Sequence, residues 1–199
     1  MPAWAQDPYY INYAIGDGLP SDNVYSVFED DNGLLWFTTD VGVVKFNSKS
    51  FELFNTDDGL SDNEVFRITK DSKGRMWMHT LNGKLSYLRN DSVFNADNST
   101  IAAQVRGTGY IIDVHEQNGK VFLCFRNGDI FIIDSTDNVS KVEITSEVGN
   151  DEGQEAFFYT LNSESVVGVG AETYIVMQPV SQPSKVYHVN NRHFFSSVN

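Results

Sequence analysis

The chain has 199 residues, 41% hydrophobic and 13% aromatic, enough to bury the core of a folded domain. Its formal net charge of −13, with only 14 scattered basic residues, excludes a nucleic-acid partner, because a phosphate backbone demands concentrated Lys and Arg. The acidity reads as solubility, with a cation-binding surface as the alternative; no apolar run approaches the roughly 20 residues of a spanning helix, so no membrane contact is expected in this segment.

In chain order, the first signal is Ala3-Trp4-Ala5 before Gln6, which reads as the A-x-A end of a bacterial signal peptide. Residues 1–5 are therefore expected to be a signal-peptide remnant, and the rest of the chain to be exported. Tyr10-Ile11-Asn12-Tyr13 then leads to Asp17-Gly18-Leu19 as Phe51-Glu52-Leu53-Phe54 leads to Asp58-Gly59-Leu60. The chain thus opens on the tail of an internal repeat.

The repeat itself spans residues 18–46, GLPSDNVYSVFEDDNGLLWFTTDVGVVKF, and 59–87, GLSDNEVFRITKDSKGRMWMHTLNGKLSY. Gly18 and Gly59, Gly33 and Gly74, Trp36 and Trp77, Thr39 and Thr80, and Gly42 and Gly83 are each 41 residues apart. Aligning the shared Ser-Asp-Asn requires a compensated indel, with Pro20 extra in the first copy and Glu64 in the second. Within a copy, Val24–Glu29 alternates as an innermost strand and Asp30–Gly33 is a turn. Leu34–Thr39 and Val43–Asn47 follow as second and third strands, and Phe51–Phe54 as the outermost. Looser copies follow: Asn118-Gly119, Val121–Phe125, Asn127-Gly128 and Ile130–Ile133, then Val166–Gly170 and Thr173–Met177.

A period of about 40–45 residues with four short strands per unit indicates an all-β fold, a β-propeller of four-stranded antiparallel blades. Blades are expected at about 22–55, 62–95, 108–147 and 154–190, with 193–199 starting another; the arc is then part of a larger ring whose remaining blades come from the same or another chain. A blade cannot bury both faces alone, so Trp36, Trp77 and, in the third copy, Phe122 are expected to fill the core between blades. The uncovered side of the first blade should include part of the set Val24, Val27, Trp36 and Val44, which makes the isolated arc prone to self-association.

The elements Gly-Leu-Pro-Ser-Asp-Asn, Val-Tyr-Ser-Val, Asp-Asp-Asn-Gly and Leu-Trp-Phe-Thr-Thr resemble the two-component regulator propeller repeat. The resemblance is close in 18–46 and 59–87 and loose after about residue 105. It implies a seven-bladed propeller in the periplasmic sensor region of a hybrid histidine kinase, followed by a β-sandwich, a membrane helix and the kinase.

Catalytic patterns do not emerge. The four histidines, His79, His115, His188 and His193, lack metal-ligand spacing. No nucleophile elbow, zinc-protease motif or phosphate loop occurs. Asp31-x-Gly33-x-x-Trp36 resembles the Asp-box hairpin of sialidases, and the Asp-rich loops Asp30–Gly33 and Asp57–Gly59 read as turns before calcium loops. Cys124, the only cysteine, lies in an apolar run as an inert thiol. No cofactor, metal or catalytic residue is assigned. Candidate ligand-face residues are Ser21, Asp22, Asn23 and Asp40 in the first copy and Ser61, Asp62, Asn63 and Asn82 in the second. They suit a small polar ligand such as a sugar, although the same residues also cap strand ends. The leading expectation is a non-catalytic ligand-sensing region of a signalling receptor. The alternatives are a propeller lyase or glycosidase with its site on other blades, and a scaffold for protein contacts.

Overall fold

A computed structural model describes residues 11–127 and 129–141, and the backbone of strands at 156–161, 164–169, 174–178 and 185–188. Residues 1–5, Gly128 and the strand expected at 193–199 lie outside the described residues. Four antiparallel sheets follow one another, each in simple up-and-down order. Blade 1 contains β1 (Val24–Glu29), β2 (Leu35–Thr39), β3 (Val43–Phe46) and β4 (Phe51–Phe54). Blade 2 contains β5 (Val65–Lys70), β6 (Met76–Thr80), β7 (Tyr87–Arg89) and β8 (Ser92–Phe94). A short helix α1 (Thr100–Gln104) leads to blade 3, with β9 (Ile111–Gln117), β10 (Lys120–Phe125), β11 (Ile130–Ile133) and β12 (Val139–Lys141). Blade 4 comprises β13 (Ala156–Leu161), β14 (Glu164–Val169), β15 (Tyr174–Gln178) and β16 (Lys185–His188). The first strand of each later blade touches the blade before it: β5 against β1 and β2, β9 against β6, and β13 against β9 and β10. The first strands therefore converge and the sheets stack face to face, as an open propeller arc.

The 41-residue offset holds at the level of single hydrogen bonds. Asp17 and Asp58 accept from the amides of Ala14 and Asn55, and Asp22 and Asn63 accept from those of Ile15 and Thr56. Gly18 and Gly59 end the intervening turns at φ 98° and 103°, where an L side chain would be strained. Position-by-position equivalence thus overturns the compensated indel: Ser21 matches Asp62 and Asn23 matches Glu64. Ser21 Oγ and Asp62 Oδ1 both accept the amide two residues on, at 3.0 and 3.2 Å. The shared letters Ser-Asp-Asn are out of register with the shared bonds.

The core lies between blades. Trp36 (1% exposed) sits with Val43 and Phe54 against Leu60, Ile68, Met76, Met78 and Leu88 of the second repeat. Trp77 (0%) packs in the same way toward Val114, Val121 and Leu123 of blade 3. Each indole Nε1 donates to the aspartate that starts its own hairpin, Asp30 or Asp71, at 3.0 Å. The same carboxylates accept two hairpin amides each. The turn aspartate is therefore Asp30 rather than Asp31, which pairs instead with Lys70 of blade 2. A cation covers each ring and reaches an outer turn of the next blade: Lys45 over Trp36 to Asp91, Arg75 over Trp77 to Asp137. Phe122 is buried at the corresponding site three residues after Gly119. The turn before it, Asn118-Gly119, has both φ angles positive, as a tight type I′ hairpin needs.

The uncovered side of blade 1 is resolved by register. Val27, Phe37, Val44 and Leu53 share one face, and Trp36 lies on the other, facing blade 2. Of the expected set, Val27 and Val44 thus lie on this face and Trp36 does not. Val27 is 56% exposed, while the outer part of that face is closed by Tyr13, whose ring meets Phe46 and Phe51 edge-on at 4.9 and 5.7 Å. The helix α1 was not anticipated; Ser99 caps it and buried Ile101 and Ala102 dock it onto the core between blades 2 and 3.

Two outcomes follow from this packing. In sedimentation experiments the 199-residue chain is expected to self-associate, and Val27→Lys to shift it toward monomer; a monomeric parent chain would show that the face is covered. In urea unfolding, Asp71→Ala should cost about 3 kcal/mol, because it removes the buried partner of the Arg75 Nε, leaving that cation only Asp137, and strands the Trp77 indole. Asp30→Ala, without a buried cation to strand, should cost about 1 kcal/mol.

Candidate functional site

The loops leading into β1, β5 and β9 and the loops after β2, β6 and β10 gather at one end of the arc. In blade 1, Ser21 Oγ donates to Asp40 Oδ1 at 2.5 Å and Asn23 Nδ2 to Asp40 Oδ2 at 2.7 Å. These two donors hold the Asp40 carboxyl below the usual carboxylate range. Ser21, Asn23 and Asp40 are thus brought together, whereas Asp22 turns back to the Ile15 amide. In blade 2, Ser61 donates to the Lys84 carbonyl and accepts, through its own carbonyl, from Asn82 Nδ2 at 2.5 Å. Asp62 and Asn63 serve backbone amides of their own loop and of Thr56. Much of the candidate set is thereby engaged in closing loops.

The position equivalent to Asp40 is Leu81, which cannot accept a hydrogen bond, and Glu64 replaces Asn23. Glu64 instead accepts the Tyr25 hydroxyl of blade 1 at 2.9 Å. Tyr25 and Phe66, again 41 apart, are the extra residues at the β-bulges of β1 and β5. Their rings lie 5.1 Å apart with Tyr25 42% exposed. Blade 3 contributes Thr108, Asn127 and Asp129, linked by mutual hydrogen bonds, with Lys141 on Asp129 at 2.6 Å. None of Tyr25, Glu64, Phe66, Thr108 or Asp129 stood out in the sequence. Aromatic residues at matching positions of two copies were the available signal for the pair.

Bulge carbonyls lock successive blades. Thr38 Oγ1 donates to the Phe66 carbonyl at 3.1 Å, and at the equivalent position His79 bonds the Ile112 backbone while Thr69 Oγ1 lies 2.9 Å from its Nε2. Burial, with the nearby charge of Arg67, lowers the His79 pKa to about 4, so the ring is a neutral structural group. Cys124 is buried, and burial with the Asp113 charge pushes its thiol up to about 12, which leaves no thiolate for chemistry. At the opposite end of the arc, a depression of about 460 Å3 between blades 1 and 2 is lined by Phe28, Glu29, Asp31, Lys70 and Ser72 and is bridged by the Lys70–Asp31 pair. The oxygens of the Asp-rich loops serve local amides, as at Asp30 and Asp58, and among the described residues no three His, Cys, Asp or Glu side chains converge on a metal position.

Radially stacked four-stranded sheets with an inter-blade indole define a β-propeller. Residues 18–41 and 59–82 match the family described as two component regulator propeller, and the chain carries two copies of that repeat. No curated protein matches it in sequence. Among solved structures it is similar to the extracellular domain of a protein assigned as a hybrid two component system from B. thetaiotaomicron, with a TM-score of 0.64 at 16% identity. That alignment covers 85% of this chain and 24% of the other, so the chain spans about a quarter of that extracellular domain. Streptogramin B lyase is similar with a TM-score of 0.59 at 14% identity, over 86% of this chain and 56% of the lyase. Virginiamycin B lyase from Staphylococcus aureus gives 0.57 at 13%, over 86% and 57%. At such identities the likeness is one of fold.

The buried neutral His79 yields a pH dependence. Below pH 6.5 the unfolded chain takes up a proton that the folded chain refuses, so stability falls from there to about pH 4, by at most about 3 kcal/mol. His79→Thr, which installs the blade 1 solution, is expected to remove that part of the acid loss in denaturant titrations across this range. An unchanged pH profile would show that His79 titrates normally.

Proposed function

We propose that this chain is a ligand-sensing, non-catalytic propeller region of an exported two-component signalling receptor. The observation that carries the reading is the pair of two component regulator propeller repeats at 18–41 and 59–82. The receptor-domain fold of the B. thetaiotaomicron neighbour is consistent with it. The ligand is a small polar molecule, a sugar by preference, met at the loop end of the arc by Ser21, Asn23, Asp40, Ser61 and Asn82. Fold alone does not dictate function, and lyases share this one. What weighs for sensing is the repeat.

The test is made in the native host, with the gene intact and the regulated transcripts as readout. Combined Ser21→Ala, Asp40→Ala and Asn82→Ala substitutions should raise the inducer concentration needed for half-response by about tenfold, as loss of one or two polar contacts would, with receptor abundance in the envelope unchanged. A full response from that variant, or bond-breaking activity of the purified full-length protein, would overturn the reading.

A further inference from the structure

Exposed Tyr25 and half-buried Phe66 form an aromatic pair at the axial mouth of blades 1 and 2. At the bulges of two successive innermost strands the extra residue is aromatic, Tyr25 and Phe66. The rings stand 5.1 Å apart, tilted by 47°, and Val24 and Leu81 add exposed apolar surface at the same end. The charges that act on Tyr25 are those of Glu64 and Asp40, both carboxylates. Arg67, the next residue after Phe66, is the nearby cation; its exposed side chain faces Asp113 of blade 3 at 3.9 Å. The Tyr25 hydroxyl donates to Glu64, which turns the dipole of the phenol toward the carboxylate and fixes the ring.

We infer that Tyr25 and Phe66, with Glu64 and Asp40 beside them, form a binding site for an alkylammonium group. Ring faces carry negative quadrupole density and attract a cation placed over them, the arrangement by which quaternary ammonium ligands are recognised. Carboxylates at the rim supply the complementary charge, and the overall charge of −13 draws cations toward the mouth. A neutral sugar could stack on the same rings but would leave the carboxylate charge unmatched. The site also depends on two differences between the repeats: Glu64 stands where the first copy has Asn23 and Leu81 where it has Asp40, and Glu64 bridges to Tyr25.

This inference does not depend on the signalling reading, because it is tested by binding alone. Equilibrium dialysis of labelled tetramethylammonium against the purified chain is expected to show saturable uptake that weakens as salt rises. Tyr25→Leu and, separately, Glu64→Gln should each raise the midpoint by about fivefold, while Tyr25→Phe, which keeps the ring, should weaken it less than Tyr25→Leu. Circular dichroism establishes that each variant is folded. Neopentyl alcohol, the neutral isostere, and glucose should compete poorly. Absence of saturable uptake, a midpoint unmoved by both Tyr25→Leu and Glu64→Gln, or equal competition by neopentyl alcohol or glucose would overturn the proposal.

Discussion

The packing of blades 1 to 3 depends on an indole held between neighbouring sheets. A four-stranded blade has two apolar faces and too little thickness to bury either, so each must be covered by a neighbour. Trp36 and Trp77 sit at the centre of that cover, fully buried, and their one polar atom would be stranded between blades without an acceptor. Asp30 and Asp71 provide it while also closing the hairpin that carries the indole. A local turn and a long-range contact are thereby made by the same carboxylate. Lys45 and Arg75 extend the arrangement by covering each ring with a cation that reaches the next blade's outer turn.

With the blades fixed in this way, the loop end becomes free to vary. The bulges at Tyr25 and Phe66 occupy the same place in both repeats, and the Phe66 carbonyl is tied to Thr38 as the Ile112 backbone is tied to His79. The scaffold positions hold while their neighbours change. Asp40 is satisfied inside its own blade by Ser21 and Asn23, yet replacement of its counterpart by Leu81 sends Glu64 across to Tyr25. Two substitutions in a repeat, Asp40 to Leu81 and Asn23 to Glu64, thus convert a loop-closing network into an inter-blade bridge. That is how a constant fold carries different surfaces on successive blades.

Much of the fold was legible because period and alternation are local properties. The spacing of 41 between Gly18 and Gly59 and between Trp36 and Trp77 reports a repeated unit, and β1, β4 and β11 begin and end where the apolar alternation places them. The turn at Asn118-Gly119 needs positive φ at both residues, which few other pairs allow. The candidate loop residues were also found at one end of the arc, since they flank strand ends whose direction the hairpins dictate.

What escaped the sequence has a common cause. A bulge adds one residue and reverses the inward and outward order beyond it, so the faces of Val24, Val27, Trp36 and Val44 could not be sorted by counting alone. Matching letters suggested an indel at Ser-Asp-Asn, whereas matching hydrogen bonds show none. The partners that decide the site, Tyr25 with Glu64 and Tyr25 with Phe66, lie 39 and 41 residues apart in the chain. The sequence by itself determined the repeat, the strands and the buried rings, because these follow from local pattern and solvent exclusion. Only the tertiary structure decided which blade each polar group serves, because that choice is made by neighbours the chain brings close only after the blades have stacked.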